Sequence, residues 1–337
     1  YMRRRRVVCA GAAMVGVGAA LAATPKVQAV ARQVADFVGG PPAPDMPLRQ
    51  LGPRSWMVYT PDGFPTEANR GNMANVTFVV TRAGVVVLDS GASLQIGEMA
   101  LRRIRTVTDQ PVVAVFNSHY HGDHWLGNHA MVKHFGADLP IYALQDTLEK
   151  VRQQEGSRWQ GMMLRWTNQS TLGTEVVAPN RVVQPGQRLQ IGGITFVMHH
   201  YGVAHTPSDL CVQVVDEGLT HVGDIAMANR IANMDEGSYP GTFDTYAKLQ
   251  AATGPQRWVP GHGLASTDLL ARYETFLQGI WQPCLQAVEQ SQSMAQARAL
   301  VLADPRVAPH AKTMQGFANN IGKYISLAYL EAEKLAF

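Results

Sequence analysis

The sequence predicts an α/β protein, and three observations carry that class. Short apolar runs rich in β-branched residues, such as Val85-Val86-Val87-Leu88 and Val112-Val113-Ala114-Val115-Phe116, have the length of buried strands. Between them, residues 93–107 place Leu94, Ile96, Met99, Leu101 and Ile104 at helical spacing. From Asp268 onward the chain reads as helical, with an amphipathic segment at residues 324–330. With 46% hydrophobic residues in 337, the chain can build a sizeable core as one large domain or two; a charged fraction of 16% excludes a disordered or coiled-coil protein.

The first residues are expected to lie outside that fold. Arg3-Arg4-Arg5-Arg6, an Ala/Gly-rich apolar stretch over residues 7–23 and small residues up to Ala29 have the form of a secretory signal peptide over residues 1–29. A periplasmic or secreted location follows, with an uncleaved membrane anchor as the alternative. The whole chain carries 29 Lys+Arg against 26 Asp+Glu; residues 1–29 hold four Arg, one Lys and no acid, which leaves 24 against 26, a net of −2. That balance gives no electrostatic footprint for nucleic acid. Of the three cysteines, Cys9 falls in the leader, while Cys211 and Cys284 read as buried apolar residues, with one disulfide between them as the alternative.

The remaining elements follow in order. Pro41-Pro42-Ala43-Pro44 and Pro47 make residues 30–50 an irregular, proline-stiffened lead-in. Residues 56–59 read as an opening strand, and residues 75–81 and 85–88 as a hairpin turning at Arg82-Ala83-Gly84. After the strand at 112–116, residues 126–135 read as helix, 140–143 as a short strand and 145–166 as a helical region. Trp159, Met162, Met163 and Trp166 in that region read as packing in preference to a lid. Strands at 191–198, 210–215 and 219–222, a helix at 243–252 and a strand at 257–259 precede the helical tail.

The chemistry concentrates in Asn117-Ser118-His119-Tyr120-His121-Gly122-Asp123-His124, directly after a predicted strand. Three histidines and an aspartate within six positions, at a strand end, form a ligand set for a zinc-like ion. Three further segments also follow strand-like runs: Ala204-His205-Thr206-Pro207-Ser208-Asp209, Gly223-Asp224, and Pro260-Gly261-His262-Gly263.

Taken together, these motifs resemble the metallo-β-lactamase superfamily. The resemblance implies a four-layer αβ/βα sandwich over residues 51–266, with a helical C-terminal extension over residues 267–337. By the same likeness His119, His121 and His205 hold one cation, Asp123, His124 and His262 hold a second, and Asp224 bridges the two. Asp123 then also orients the nucleophile. The cofactor implied is two zinc ions, with iron or manganese as alternatives. Asp89, in Asp89-Ser90-Gly91, either accepts the free ring N–H of a ligand histidine or caps the helix after it. Asp209, just after the third histidine motif, reads as a cap in preference to a partner of the ligand residues, and His199 or His200 as a pocket residue. An aspartate at 224 is similar to the glyoxalase II and lactonase branch, which implies hydrolysis of a carboxylic ester, thioester or lactone. β-Lactam hydrolysis and a mononuclear-iron persulfide dioxygenase chemistry are the alternatives. The partner expected is a small-molecule substrate, without nucleic acid; contact with a membrane is expected only through an uncleaved leader. A homodimer surface, a pocket wall or cladding remain open for the helical tail.

Overall fold

Two sheets meet face to face in the computed structural model, which describes residues 39–61, 63–231 and 234–336. The expected leader at 1–29 lies outside the described residues. The first sheet runs β1 (Leu48–Gly52), β2 (Ser55–Val58), β3 (Val76–Val80), β4 (Val85–Leu88), β5 (Val112–Phe116), β6 (Ile141–Ala143) and β7 (Arg181–Val182), each strand beside its sequence neighbour. Its first four strands pair antiparallel and the rest parallel. The switch at β4 has a local cause. The connection to β5 is the helix α1 (Leu94–Arg105), long enough to bring the chain back to the same end.

The second sheet is β8 (Arg188–Ile191), β9 (Ile194–His199), β10 (Cys211–Val214), β11 (Leu219–Gly223) and β12 (Arg257–Pro260). Here β8 to β11 are antiparallel, and β11 and β12 are parallel, joined through α5 (Tyr239–Thr253).

Side-chain alternation explains the layering. Val86 and Leu88 point into a core shared with Phe116, Phe196, Met198 and Val212, between the sheets. Val85 and Val87 point the other way, onto Ile96, Met99, Ala130 and Met131 of α1 and α2 (Asn128–Phe135). On the far face of the second sheet, Val222 and Trp258 share a core with Tyr246, Phe276, Ile280, Tyr324 and Ala328. That outer layer comprises α5, α6 (Leu269–Glu289), α7 (Met294–Ala303) and α8 (Phe317–Ala336). The order helix, sheet, sheet, helix is the expected four-layer sandwich, and the last helices are one of its layers. Glu331 of α8 accepts from the backbone N–H of Tyr239, and so caps α5 from the far end of the chain. Among the described residues no helix is long and apolar enough to cross a membrane.

Four expectations need correction. Residues 30–38 of the expected lead-in also lie outside the described residues, and its end is not irregular: Leu48 begins β1, opposite Val58, because the partner strand supplies hydrogen bonds that local sequence does not reveal. The strand at 191–198 is a hairpin bent at Gly192 and Gly193, whose φ values of 56° and 85° suit glycine. The helix at 126–135 starts only at Asn128, after a 3-10 turn at Gly122–His124. The helical region at 145–166 is α3 (Gln145–Lys150), a π-helical turn at Val151–Glu155 and α4 (Gly156–Trp166). Cys211 and Cys284 are both free and buried, without a disulfide.

The start of α2 lies against the loop after β4 with no room to spare. A Cβ on Gly127 would lie 2.0 Å from the Ser90 carbonyl oxygen, while the Gly127 N–H donates to Gly91 O at 2.8 Å. Gly127→Ala is expected to destabilise the fold by about 1–3 kcal/mol through overpacking. A urea titration read by circular dichroism checks this, and an unchanged midpoint would refute it.

Candidate metal centre

Parallel pairing brings four strand ends to one edge of the sandwich. β4 and β5 finish side by side, with Leu88 opposite Phe116, and deliver Asp89 and the loop from Asn117. β11 and β12 finish together and deliver Asp224 and His262. Asn75 joins the two sheets at this edge: its N–H donates to Gly261 O at 2.7 Å and its amide to Pro260 O and Gly263 O. Ser118 O accepts from Leu210 N–H at 2.7 Å, which anchors the loop bearing His205.

All seven predicted ligand residues converge. The donor atoms of His119, His121 and His205 lie within 4.8 Å of one another, as do those of Asp123, His124 and His262, and those of His119, His124 and Asp224. His205 Nε2 is 3.1 Å from His121 Nδ1. His262 Nε2 is 3.3 Å from Asp123 Oδ2 and 3.2 Å from Asp224 Oδ2, and His124 Nε2 is 3.4 Å from each of the same two carboxylates. A tetrahedron with metal–nitrogen arms of about 2.05 Å has edges of about 3.3 Å, so these separations suit ligands around a common centre.

The hydrogen bonds fix which ring atom faces that centre. Asp89 Oδ2 accepts from His124 Nδ1 at 2.9 Å. The Ser118 hydroxyl donates to Asp89 Oδ2, so its oxygen accepts from His119 Nδ1 at 3.0 Å. Met73 O accepts from His262 Nδ1 at 2.6 Å. Each Nδ1 therefore carries its proton outward. The Nε2 atoms of His119, His124 and His262 and Oδ1 of Asp224 are buried with no hydrogen-bond partner. Four unpaired polar atoms in one buried cluster would be costly unless a shared ligand met them, and this donor set fits divalent cations. Gly261 keeps the space open, since a Cβ there would come within 2.2 Å of Asp224 Oδ1 and 2.6 Å of His124 Cε1.

Asp89 settles into the first of its two expected roles. Ser93, not Asp89, caps α1, its side chain accepting from Ile96 N–H. Asp89 has φ 55°, a strained conformation for a side-chain-bearing residue, and four polar groups hold it there: Ser118 N–H, Ser118 Oγ, His124 and His221. Burial would raise its carboxyl, but the charges and hydrogen bonds of His124 and His221 outweigh that and hold it below the usual carboxylate range.

The same balance divides the centre. Burial pushes His121 down to about 3 and His205 to about 4, with neighbouring imidazoles adding to the effect, and His119 falls well below its ordinary value for the same reasons. Burial also opposes the charge on His124, yet Asp224, Asp123 and Asp89 raise it well above the ordinary value. His262 is raised too, since Asp224 and Asp123 outweigh burial and Arg230. Asp123 and Asp224 lie well below the usual range despite burial, held there by His124 and His262.

A cavity of about 350 Å³ opens onto His121, Asp123, His205 and Asp224. Its walls include Trp159, Trp166, Phe64, Arg230 and the α8 residues Asn319 and Asn320. Trp159 and Trp166 are thus cavity wall and not simple packing. Their helical spacing fits either role, and only the position of α4 over the Gly122 loop decides. Neither His199 nor His200 lines the cavity; they bond to Tyr201 and Gln213, and to Asp209 O. Asp209 caps its turn, accepting from Thr206 N–H and Oγ, and burial pushes its carboxyl up to about 7. Sequence reading did not single out Ser118, Asn75, Arg230 or the bond from His221 to Asp89. Only Ser118 carried a local signal, by its place within the histidine motif. A larger hollow of about 710 Å³, lined by Gly52, Glu217 and Arg257, lies at the opposite end of β12 from His262 and holds no such cluster.

The family model for the metallo-beta-lactamase superfamily matches residues 69–308. A metallo-beta-lactamase from Pontibacter korlensis superposes with a TM-score of 0.56 at 18% identity, covering 69% of this chain and 99% of its own. The metallo-beta-lactamase IND-7 gives 0.51 at 21% identity, over 65% of this chain and 90% of that one. The stereoselective inverting sec-alkylsulfatase Pisa1 from Pseudomonas sp. gives 0.64 at 15% identity, over 88% of this chain. This chain spans 54% of the alkylsulfatase's length. At these identities the likeness shows the fold alone. No curated protein matches the sequence.

Asp89→Asn keeps the size of the side chain but replaces one oxygen with a donor facing histidine N–H groups. Affinity for a divalent metal is expected to fall about 10–100-fold with the fold retained. Competition against a chromogenic chelator measures this, and wild-type affinity would refute the positioning role.

Proposed function

Because the chain belongs to the metallo-beta-lactamase superfamily, we propose that it is an exported, dinuclear metal-dependent hydrolase of a carboxylic ester, thioester or lactone. One observation carries the reading: six buried side chains and the half-buried His121, from four loops, converge, and four of their polar atoms are buried without a partner in that cluster. His119, His121 and His205 would hold one cation, Asp123, His124 and His262 the other, and Asp224 both. Zinc suits the nitrogen-rich donor set. When bound, such cations supply a Lewis acid and lower the pKa of water toward about 7.

The chain's own residues set the rest. Asp123 lines the cavity as a carboxylate kept ionised by His124 and His262, and its Oδ atoms orient the attacking water. Asp89 and Ser118 hold the rings of His124 and His119, and Met73 O holds that of His262. Hydrolysis adds one water across the acyl bond and releases an acid and an alcohol, thiol or ring-opened product. No Ser or Cys nucleophile is needed. The leader-like residues 1–29 support export to the periplasm or beyond.

A panel of esters, thioesters, lactones, a β-lactam and a secondary alkyl sulfate tests the reading, with and without a chelator. Turnover of an acyl substrate that disappears on chelation and returns with Zn²⁺ is expected, and activity unchanged after metal removal would end it. Metal analysis on protein purified without added metal separates the alternatives: two zincs per chain support hydrolysis, one iron favours oxidation.

The divided protonation gives a second test. At pH 7 His119, His121 and His205 are neutral, so a cation entering their cluster displaces no proton. His124 and His262 are instead raised by the Asp224 and Asp123 carboxylates, so a cation entering their cluster competes with protons more than one entering the three-histidine cluster. Calorimetric titration of metal-free protein with Zn²⁺, in buffers of different ionisation enthalpy, should show more proton release for one equivalent than for the other. Equal release for both would contradict the division.

A further inference from the structure

From the cavity walls we infer that the acyl substrate is hydrophobic, carrying an aryl or medium-chain alkyl substituent that lies along Trp159 and Trp166. The inference rests on the hydrolase reading above and names its substrate class. The Trp159 ring centroid is 5.1 Å from that of His121, and Trp166 stands edge-on to Trp159 at 6.1 Å. The two indoles form a track from the ligand histidines to the cavity mouth, where Trp166 remains 45% exposed and Phe64 36% exposed. Large apolar rings left open beside a concave site gain most from an apolar occupant.

This wall is fixed in place. A Cβ on Gly122 would come 2.5 Å from Trp159 Cβ, so glycine in the histidine motif is what lets α4 lie this close. Within α4, Met163 is buried and Gln160 donates to Thr174 O at 2.6 Å. The cavity offers little to a polyanionic substrate. Arg230, the cation among its lining residues, already donates to Gly63 O and lies 4.4 Å from the Phe64 ring. Asn319 and Asn320 add uncharged amides to the lining. At about 350 Å³ the space is near the lower end for small-molecule pockets, which suits one compact apolar group and not an extended peptide-like ligand.

The test uses the full chain with its metal and two series of esters, one lengthened on the acyl side and one on the alcohol side, from acetyl or methyl to hexyl. In at least one series kcat/KM is expected to rise about fourfold per methylene, the fold-change for one buried CH₂. Trp159→Ala and Trp166→Ala should flatten that slope chiefly through KM, with metal content unchanged. Flat series on both sides in an enzyme that does turn over esters would overturn the substrate class and leave the hydrolase reading standing. A slope kept in both variants would overturn the assignment to the tryptophans. Binding of 4-phenylbutyrate, read as quenching of tryptophan fluorescence, decides the matter even if no ester is turned over. Saturable quenching weakened by Trp166→Ala supports the wall, and its absence in the wild-type protein overturns it.

Discussion

The buried Asp89 carboxylate is the interaction on which the centre depends. It sits at a strand end in a conformation that favours glycine and collects the N–H of Ser118, the Ser118 hydroxyl and the rings of His124 and His221. Burying a lone carboxylate is expensive, so this arrangement persists only with every oxygen paired. Through that pairing one side chain fixes the tautomer of His124 directly and that of His119 through Ser118. The loop at 117–124 is thereby tied to Asp89 through Ser118 and His124.

The sandwich supplies what a single loop cannot. Ligands arrive from both sheets, and the sheets are held at this edge by Asn75 and by the Ser118–Leu210 backbone bond. Packing in the core between them, with Leu88, Phe116, Phe196 and Met198, sets the distance across which the ligands meet. The C-terminal helices belong to the same economy of contacts. They cover the second sheet, cap α5 through Glu331 and place Asn319 and Asn320 in the cavity wall.

Electrostatics separates two clusters only a few ångströms apart. The three-histidine group is lowered by burial and by its imidazole neighbours; His124, beside Asp224, Asp123 and Asp89, and His262, beside Asp224 and Asp123, are raised despite burial. Residue type decides this, since desolvation acts on both in the same sense. The Asp224 carboxylate stands between the groups, 3.2 Å from His262 Nε2 and 3.8 Å from His205 Nε2.

The ligand set was legible in the sequence because its densest part is local. His119, His121, Asp123 and His124 lie within six positions after a recognisable strand, and the other three follow strand-like runs. Strand and helix positions were legible for a similar reason: periods of 2 and 3.6 residues are written along the chain. Tertiary structure alone decided what supports the site. Asp89 meets His221 across 132 residues, Met73 meets His262 across 189, and Trp159 reaches His121 only because α4 packs onto Gly122. Such contacts leave no periodic trace, since they depend on which strand ends become neighbours when the two sheets close on a common core.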